Sequence, residues 1–290
     1  MAESHSILFT QDTLMQKTTG KTVEFQGPGL HSGKMTLLRL VPAAPDSGIR
    51  FRRSDLQGSP EIPARVEFFR KMQFMCSALT ADGASVQLIE HIMAALAAYG
   101  VDNLVVELDN EEPPFEDGSS MFISDMLEEA GLVEQGRPRQ VMRLSRPVSY
   151  TNGEIEISAV PSDVPRLTFF AHYNHPMIGE QSFTIVPDVQ TFRSLLAPAR
   201  TFCFEQDVNR MNAAGLLKGA SEQSALVFGK EGLLNGSLLF PDEPVRHKML
   251  DLMGDLYLLG APLLAHVTAV KSGHESHAEF VKILRKEKQS

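Results

Sequence analysis

The chain has no tryptophan and only two cysteines, Cys76 and Cys203, among its 290 residues. Two thiols exclude a disulfide framework and a cysteine-rich metal site. Long apolar runs are missing too: the longest, Ile92 to Tyr99, is far short of the ~20 residues a spanning helix needs. Met1 to Thr10 mixes polar and apolar residues and lacks the basic stretch plus apolar core of a secretory leader. A reducing, cytoplasmic location follows. Positive charge is scarce as well, with Lys+Arg 27 against Asp+Glu 36 and a formal net charge of -9. That balance argues against a general binder of nucleic acid or of anionic membranes, though a local basic pocket can still hold a phosphate. With 21 glycines and 17 prolines the chain is neither fibrous nor low-complexity, and 43% hydrophobic residues exclude disorder.

What is present reads as a globular protein about twice the ~150 residues of one domain, so two domains are expected. Strand patterns at Thr22 to Gln26, Met35 to Leu40 and Gly48 to Arg52 are punctuated by Gly27-Pro28-Gly29 and Pro42-Ala43-Ala44-Pro45. The period then changes: Leu88, Ile89, Ile92, Met93, Leu96 and Tyr99 form a helical stripe ended by Gly100. A strand at Leu104 to Leu108, an acidic Pro-rich loop and a helix over about Ser120 to Ala130 follow. The second half repeats that order. Strands are expected at Val141 to Leu144, Glu154 to Ala159 and Arg166 to His172. A helix from about Val245 to Leu259, a strand from Leu264 to Val270 and a helix over about Glu275 to Arg285 complete it. The polar stretch Gly136-Arg137-Pro138-Arg139 marks the boundary. The expected fold is therefore α+β, with two similar two-layer modules over residues 1–138 and 139–290, each a sheet covered by two helices. An insert near 188–217 interrupts the second module. It carries a short helix capped by Asp188 and another over about Glu205 to Ala214. Its Phe202, Phe204, Met211, Leu216 and Leu217 suit an apolar ligand groove as well as they suit extra core.

Nine histidines are candidates for chemistry. In the second-half helix, His247 and Asp251 at i and i+4 lie on one face and can reach one cation; Asp255 continues the row. Glu90-His91 opens the corresponding helix of the first half. A Glu beside a His can place one side chain on a metal and the other beside the water it activates. Two modules packed face to face would bring these helices together, and His91, His247 and Asp251 with one open position is the ligand pattern of a catalytic zinc site. A solvated i,i+4 pair and a polar helix terminus are the bland alternatives. His274, after Lys271-Ser272-Gly273 at a strand-to-helix turn, suits a general acid, with Asp255 a partner that would raise its pKa.

These residues resemble the zinc-dependent UDP-3-O-acyl-N-acetylglucosamine deacetylases of lipid A biosynthesis, the LpxC family, over roughly Gln16 to Lys286. The resemblance is carried by Gly27-Pro28-Gly29-Leu30-His31-Ser32-Gly33, Gly48-Ile49-Arg50-Phe51-Arg52, Glu90-His91, Val101-Asp102-Asn103 and Asp117-Gly118-Ser119. It continues in His175-Pro176, Ile178-Gly179, Ala199-Arg200-Thr201-Phe202, Arg246 to Asp251 with Gly254-Asp255-Leu256, and Ser272-Gly273-His274. It implies zinc ligands His91, His247 and Asp251, a general base Glu90, and a cationic acid His274 partnered by Asp255. Thr201 would help stabilise the oxyanion, Lys248 would contact substrate, and the insert with Phe202 and Phe204 would form an acyl tunnel. The implied partner is an acylated UDP-sugar; a monomer is favoured. Two imidazoles and one carboxylate would also accept Fe2+. The chain departs from the family pattern at Gln87-Leu88-Ile89, Cys203, Gly219-Ala220, Gln223-Ser224, His277 and Ser120-Met121-Phe122. None of these removes a ligand or an acid/base residue, but several sit where substrate would bind. Two other readings stay open: a diverged paralogue deacylating another nucleotide sugar, and a catalytically idle module that holds lipid.

Overall fold

The computed structural model describes residues 14–72 and 76–289. The Met1 to Thr10 segment lies outside them. Eighteen strands are present among the described residues: β1 (Met15–Thr19), β2 (Val23–Pro28), β3 (Met35–Pro42), β4 (Ile49–Arg53), β5 (Glu61–Pro63), β6 (Phe69–Arg70), β7 (Ala78–Ala81), β8 (Ala84–Gln87) and β9 (Leu104–Leu108) in the first part, then β10 (Leu132–Pro138), β11 (Met142–Arg143), β12 (Val148–Asn152), β13 (Ile155–Pro161), β14 (Arg166–Tyr173), β15 (Gly179–Ile185), β16 (Phe202–Phe204), β17 (Leu226–Phe228) and β18 (Leu263–Val270). The helices are α1 (Glu90–Tyr99), α2 (Met121–Ala130), α3 (Val189–Thr191), α4 (Glu205–Ala213), α5 (Glu243–Leu256) and α6 (His274–Gln289). The expected α+β class holds, and most expected elements lie within a few residues of their observed bounds.

The repeat of pattern extends to topology. One sheet has the order β2-β3-β9-β4-β5 and the other β12-β13-β18-β14-β15. In both, the third and fourth neighbours pair in parallel (β9 with β4, β18 with β14) and the other pairs along these orders are antiparallel, while β11 adds a parallel pairing to β18 beside the second order. The central strand in each comes late in the chain, between two helices, and runs as a nearly continuous apolar segment. Leu104, Val106 and Leu108 are buried on β9 and Leu264, Val267 and Ala269 on β18. Strand β3 alternates instead, burying Leu38 and Leu40 towards the helices.

Helix α1 is buried along almost its whole length, with Ala94 and Ala95 allowing close approach of its neighbours. It packs against α5. The contact is closest at Gly254, where a Cβ would stand 2.1 Å from the carbonyl oxygen of Glu90. A glycine inside a helix costs about 0.5–1 kcal/mol relative to alanine; here it lets two backbones touch. Further along, Arg139 ties the two repeats. Its Nε donates to Asp102 Oδ1 at 2.7 Å and its Nη2 to the Tyr257 hydroxyl at 3.1 Å, while that hydroxyl donates to Val101 O at 2.8 Å.

Gly136 to Pro138, in the polar stretch expected at the boundary, closes β10, which pairs antiparallel with β1. Glycine and proline are poor strand residues, but β10 is an edge ribbon with most side chains exposed, where they are tolerated.

Candidate active site

The site is built where α1, α5 and α6 begin or cross. The chain leaves β8 through Leu88, whose φ of 58° is left-handed, and enters α1 at Glu90. Glu90 and His91 therefore occupy the helix's first turn, where the dipole favours the Glu carboxylate. Four residues apart on α5, His247 and Asp251 share one face and meet His91 across the Gly254 contact. Asp251 Oδ1 lies 3.4 Å from His247 Nε2 and 3.9 Å from His91 Nε2. The two imidazoles stand edge to face, 5.1 Å between centroids. His247 Nδ1 lies 3.1 Å from the Ala199 carbonyl; donating there fixes the tautomer and leaves Nε2 free to face the other two side chains.

The trio fits a metal ion. All three side chains are buried, and their donor atoms lie within 4.8 Å of one another. Asp251 Oδ2 is engaged by Lys248 Nζ at 2.7 Å, whereas Asp251 Oδ1 is buried without a hydrogen-bond partner among the described residues. A buried carboxylate oxygen left bare costs several kcal/mol unless a cation supplies the missing charge. Burial, reinforced by His247, pushes the His91 pKa down to about 3, and burial lowers that of His247, so both rings are neutral as ligands must be. Burial opposes ionisation of Asp251, but the Lys248 ammonium outweighs it and holds the carboxyl well below the usual range.

A second cluster, Asp255, His274 and His277, is equally compact but has its donor atoms spent. His274 Nδ1 and His277 Nδ1 each lie 2.7 Å from Asp255 Oδ2, Ser77 Oγ donates to Asp255 Oδ1, and His277 Nε2 is 2.8 Å from Ser272 Oγ. This is a hydrogen-bonded network rather than a vacant ligand set. His274, the first residue of α6, is left with Nε2 free, 4.0 Å from Glu90 Oε1 and 3.9 Å from Asp251 Oδ2. Burial disfavours its charge, but Asp255 prevails and pushes its pKa up to about 9. Glu90 Oε2 accepts from Ser77 N at 3.1 Å; burial pushes the Glu90 pKa up to about 7 despite the attraction of His274.

These groups open onto a cavity of about 470 Å³. Glu90, His91, His247, Lys248, Asp251, Thr201 and His274 line it. Phe202, Phe204, Met211 and Leu217 of the insert, with Tyr173 and Leu30, supply apolar wall, and His31, Asp207, Arg210, Ser221 and Ser224 are polar members of the same lining. The residues singled out by sequence thus converge on this cavity, except Leu216, which is not in its lining, and Asp255, which stands behind His274. Thr201 is brought in by the Gly118 turn: its N donates to Gly118 O at 2.8 Å, and a Cβ at Gly118 would meet Thr201 Cγ2 at 2.8 Å and Ser224 O at 2.3 Å. Lys248 lines the cavity while paired with Asp251. Sequence reasoning missed Ser77, which touches both Glu90 and Asp255; it lies 178 residues from the latter in the chain, with no motif to announce it. It also gave His31 no role of its own, although His31 lines the cavity with a buried Nδ1 that has no partner among the described residues. Of the departures from the family pattern, Leu88, Cys203, Ala220 and Ser224 line the cavity.

Fold and site together define an α+β hydrolase whose buried trio can hold a metal ion. Comparison with known proteins makes this specific. Residues 16–286 match the family described as LpxC, UDP-3-O-acyl N-acetylglycosamine deacetylase, and the chain belongs to that family. A UDP-3-O-acyl-N-acetylglucosamine deacetylase of Thermosynechococcus vestitus is 40% identical over 273 residues, 94% of this chain and 95% of that protein. That of an Anaeromyxobacter species is 43% identical over 269 residues, 92% and 87% of the two chains. That of Chlamydia pneumoniae is 38% identical over 270 residues, 92% and 95%. Among the described residues no helix is long and apolar enough to cross a membrane.

Proposed function

We propose that this protein hydrolyses the N-acetyl group of UDP-3-O-acyl-N-acetylglucosamine, releasing acetate and the free amine, as a step of lipid A biosynthesis in the cytoplasm. The reading includes a monomer of two modules, 1–138 and 139–290 with the insert near 188–217. His91, His247 and Asp251 would hold zinc; Fe2+ suits the same ligands. The observation that carries it is the bare, buried Asp251 Oδ1 facing two neutral imidazoles. A divalent cation bound there supplies a Lewis acid that polarises an amide carbonyl and acidifies water.

The chain's own residues do the rest. Glu90, with one oxygen held by Ser77 N and the other free, removes the proton of the attacking water. Protonated His274 presents an N–H at Nε2 to the developing oxyanion, and the Thr201 hydroxyl adds a second donor. Asp255 holds the His274 ring by its Nδ1–H and favours the imidazolium. The amine leaves after receiving a proton from Glu90 or His274, which stand 4.0 Å apart. Lys248 contacts sugar or phosphate oxygens, and Phe202 and Phe204 pack along the acyl chain. Apolar wall residues in the same cavity as the metal-capable trio fit an acylated sugar better than a free one.

Purified protein, assayed for metal content and for acetate release from acylated UDP-N-acetylglucosamine, tests this. Stoichiometric metal without acetate release would overturn it. A second reading, a paralogue acting on a different nucleotide sugar, is favoured by the departures Leu88, Cys203, Ala220 and Ser224 along the cavity wall. Faster turnover of the unacylated sugar nucleotide than of the acylated one would select it.

A further inference from the structure

His277 is fully buried, one turn beyond His274 on α6, and does not reach the cavity. It nevertheless shares a single oxygen with His274: both Nδ1 atoms lie 2.7 Å from Asp255 Oδ2. An ionised carboxylate only accepts; burial opposes the charge on Asp255, but His274 and the donated hydrogen bonds outweigh it and keep the group ionised, so both imidazoles must donate. His277 is then the neutral Nδ1–H tautomer, and its Nε2 accepts from Ser272 Oγ at 2.8 Å. Phe169 stands edge-on to its ring, 6.5 Å between centroids. The ring is thus fixed at both nitrogens and on one face.

We propose that His277 is a positioning residue: its Nδ1–H anchors Asp255 Oδ2 in the plane that aims His274 Nε2 at the cavity. The inference rests on the reading of His274 as the cationic acid. Asp255 comes from α5, Ser77 from the segment before β7, and both imidazoles from α6. With Ser77 alone on Oδ1, the carboxylate could pivot about its Cβ–Cγ bond, and His274 would swing with it. A second imidazole on Oδ2 removes that freedom. Ser272, buried just before the helix, in turn fixes the second imidazole. The chain Ser272, His277, Asp255, His274 therefore runs from the core to the site, with only its last member in contact with the cavity.

Two near-isosteres separate the two nitrogens of His277. In His277→Asn the amide nitrogen can stand where Nδ1 stands and donate to Asp255. In His277→Gln the amide reaches the Nε2 position, meets Ser272 and leaves Asp255 one donor short. His277→Phe removes both functions and reports on folding. On metal-loaded protein with acylated UDP-N-acetylglucosamine, His277→Gln should lower kcat by roughly 10- to 100-fold, the cost of misplacing a reacting group. KM and metal content should hold, and His277→Asn should retain most of the kcat. In a His274→Ala background, His277→Gln should cost nothing further, because the group it positions is gone. Equal kcat for the Asn and Gln variants, or full additivity with His274→Ala, would overturn the proposal. Undiminished activity of His274→Ala itself would overturn the parent reading instead.

Discussion

The α-carbon of Gly254 on α5 rests against the carbonyl of Glu90 on α1, so close that a methyl group placed there would lie 2.1 Å from that oxygen and 3.1 Å from Ala94 N. This contact sets the distance between the helix that carries Glu90 and His91 and the one that carries His247 and Asp251. Both obstructing atoms are backbone, so no side chain can rotate out of the way. Gly254→Ala should destabilise the fold by about 1–3 kcal/mol, the usual cost of overpacking, despite alanine's better helix propensity. It should also weaken metal binding, because the proposed ligands on α1 and α5 are pushed apart. Urea denaturation and metal titration measure the two effects; a variant as stable and as metal-avid as the parent would show that the helices are not held by this contact.

Replacing a ligand tests the trio directly. His91→Ala or Asp251→Ala should abolish tight metal binding, since either leaves only two protein donors where a catalytic site uses three. Asp251→Ala should be the more damaging to stability, because it strands the buried Lys248 ammonium that now sits 2.7 Å from Asp251 Oδ2. Metal analysis after dialysis settles the assignment: full retention in both variants would contradict it.

How much of this was legible in the sequence follows from the range of the interactions. His247, Asp251 and Asp255 are spaced by four on one helix, and Glu90-His91 stands at the start of another; helical periodicity alone exposes such rows. That His274 begins α6 follows from the Ser272-Gly273 turn before it. The matching order of elements in the two halves was visible as well. It did not extend to β5, β12 and β15, which complete the two equivalent sheets, nor to the small β6-β7-β8 sheet. The short strands β5 to β8 span two to four residues each, too few for a period to register. Ser77 and the second role of Asp255 were hidden, because each depends on side chains from elements far apart in the chain. His277 stood out as a departure from the family pattern, yet only the fold brings its Nδ1 to the oxygen that His274 uses. Gly254 was visible as a residue, and its meaning was not, since a close approach of two helices has no signature within either one.

Glu90→Gln should preserve both metal and fold. The amide is nearly isosteric, and its oxygen can still accept from Ser77 N, as the carboxylate does. It cannot take a proton from water. Turnover should fall by roughly 10²–10⁴, the usual worth of a positioned acid or base, with KM little changed. Near-normal turnover would place the base elsewhere.

The pH profile joins the two titrating groups that face one another across the site. As the proposed base Glu90 would work when ionised, and burial raises its pKa to about 7; activity should therefore rise as pH increases through that value. A cation on the neighbouring ligands would favour the carboxylate and draw this limb to lower pH. As the proposed acid His274 would work when protonated, and Asp255, outweighing the effect of burial, raises its pKa to about 9. Its contribution is present below that pH and is lost as pH rises through it. The curve of kcat should thus be a bell with a basic limb well above the ~6.5 of an ordinary histidine. His274→Ala should lower the plateau and shift or abolish the basic limb while metal content is retained, and Asp255→Asn should move that limb towards neutrality by removing the charge that favours the imidazolium. Because water on a metal also titrates near ~7, assignment rests on these variants rather than on the wild-type curve. A basic limb unaltered in both would mean that His274 does not carry the proton that catalysis needs.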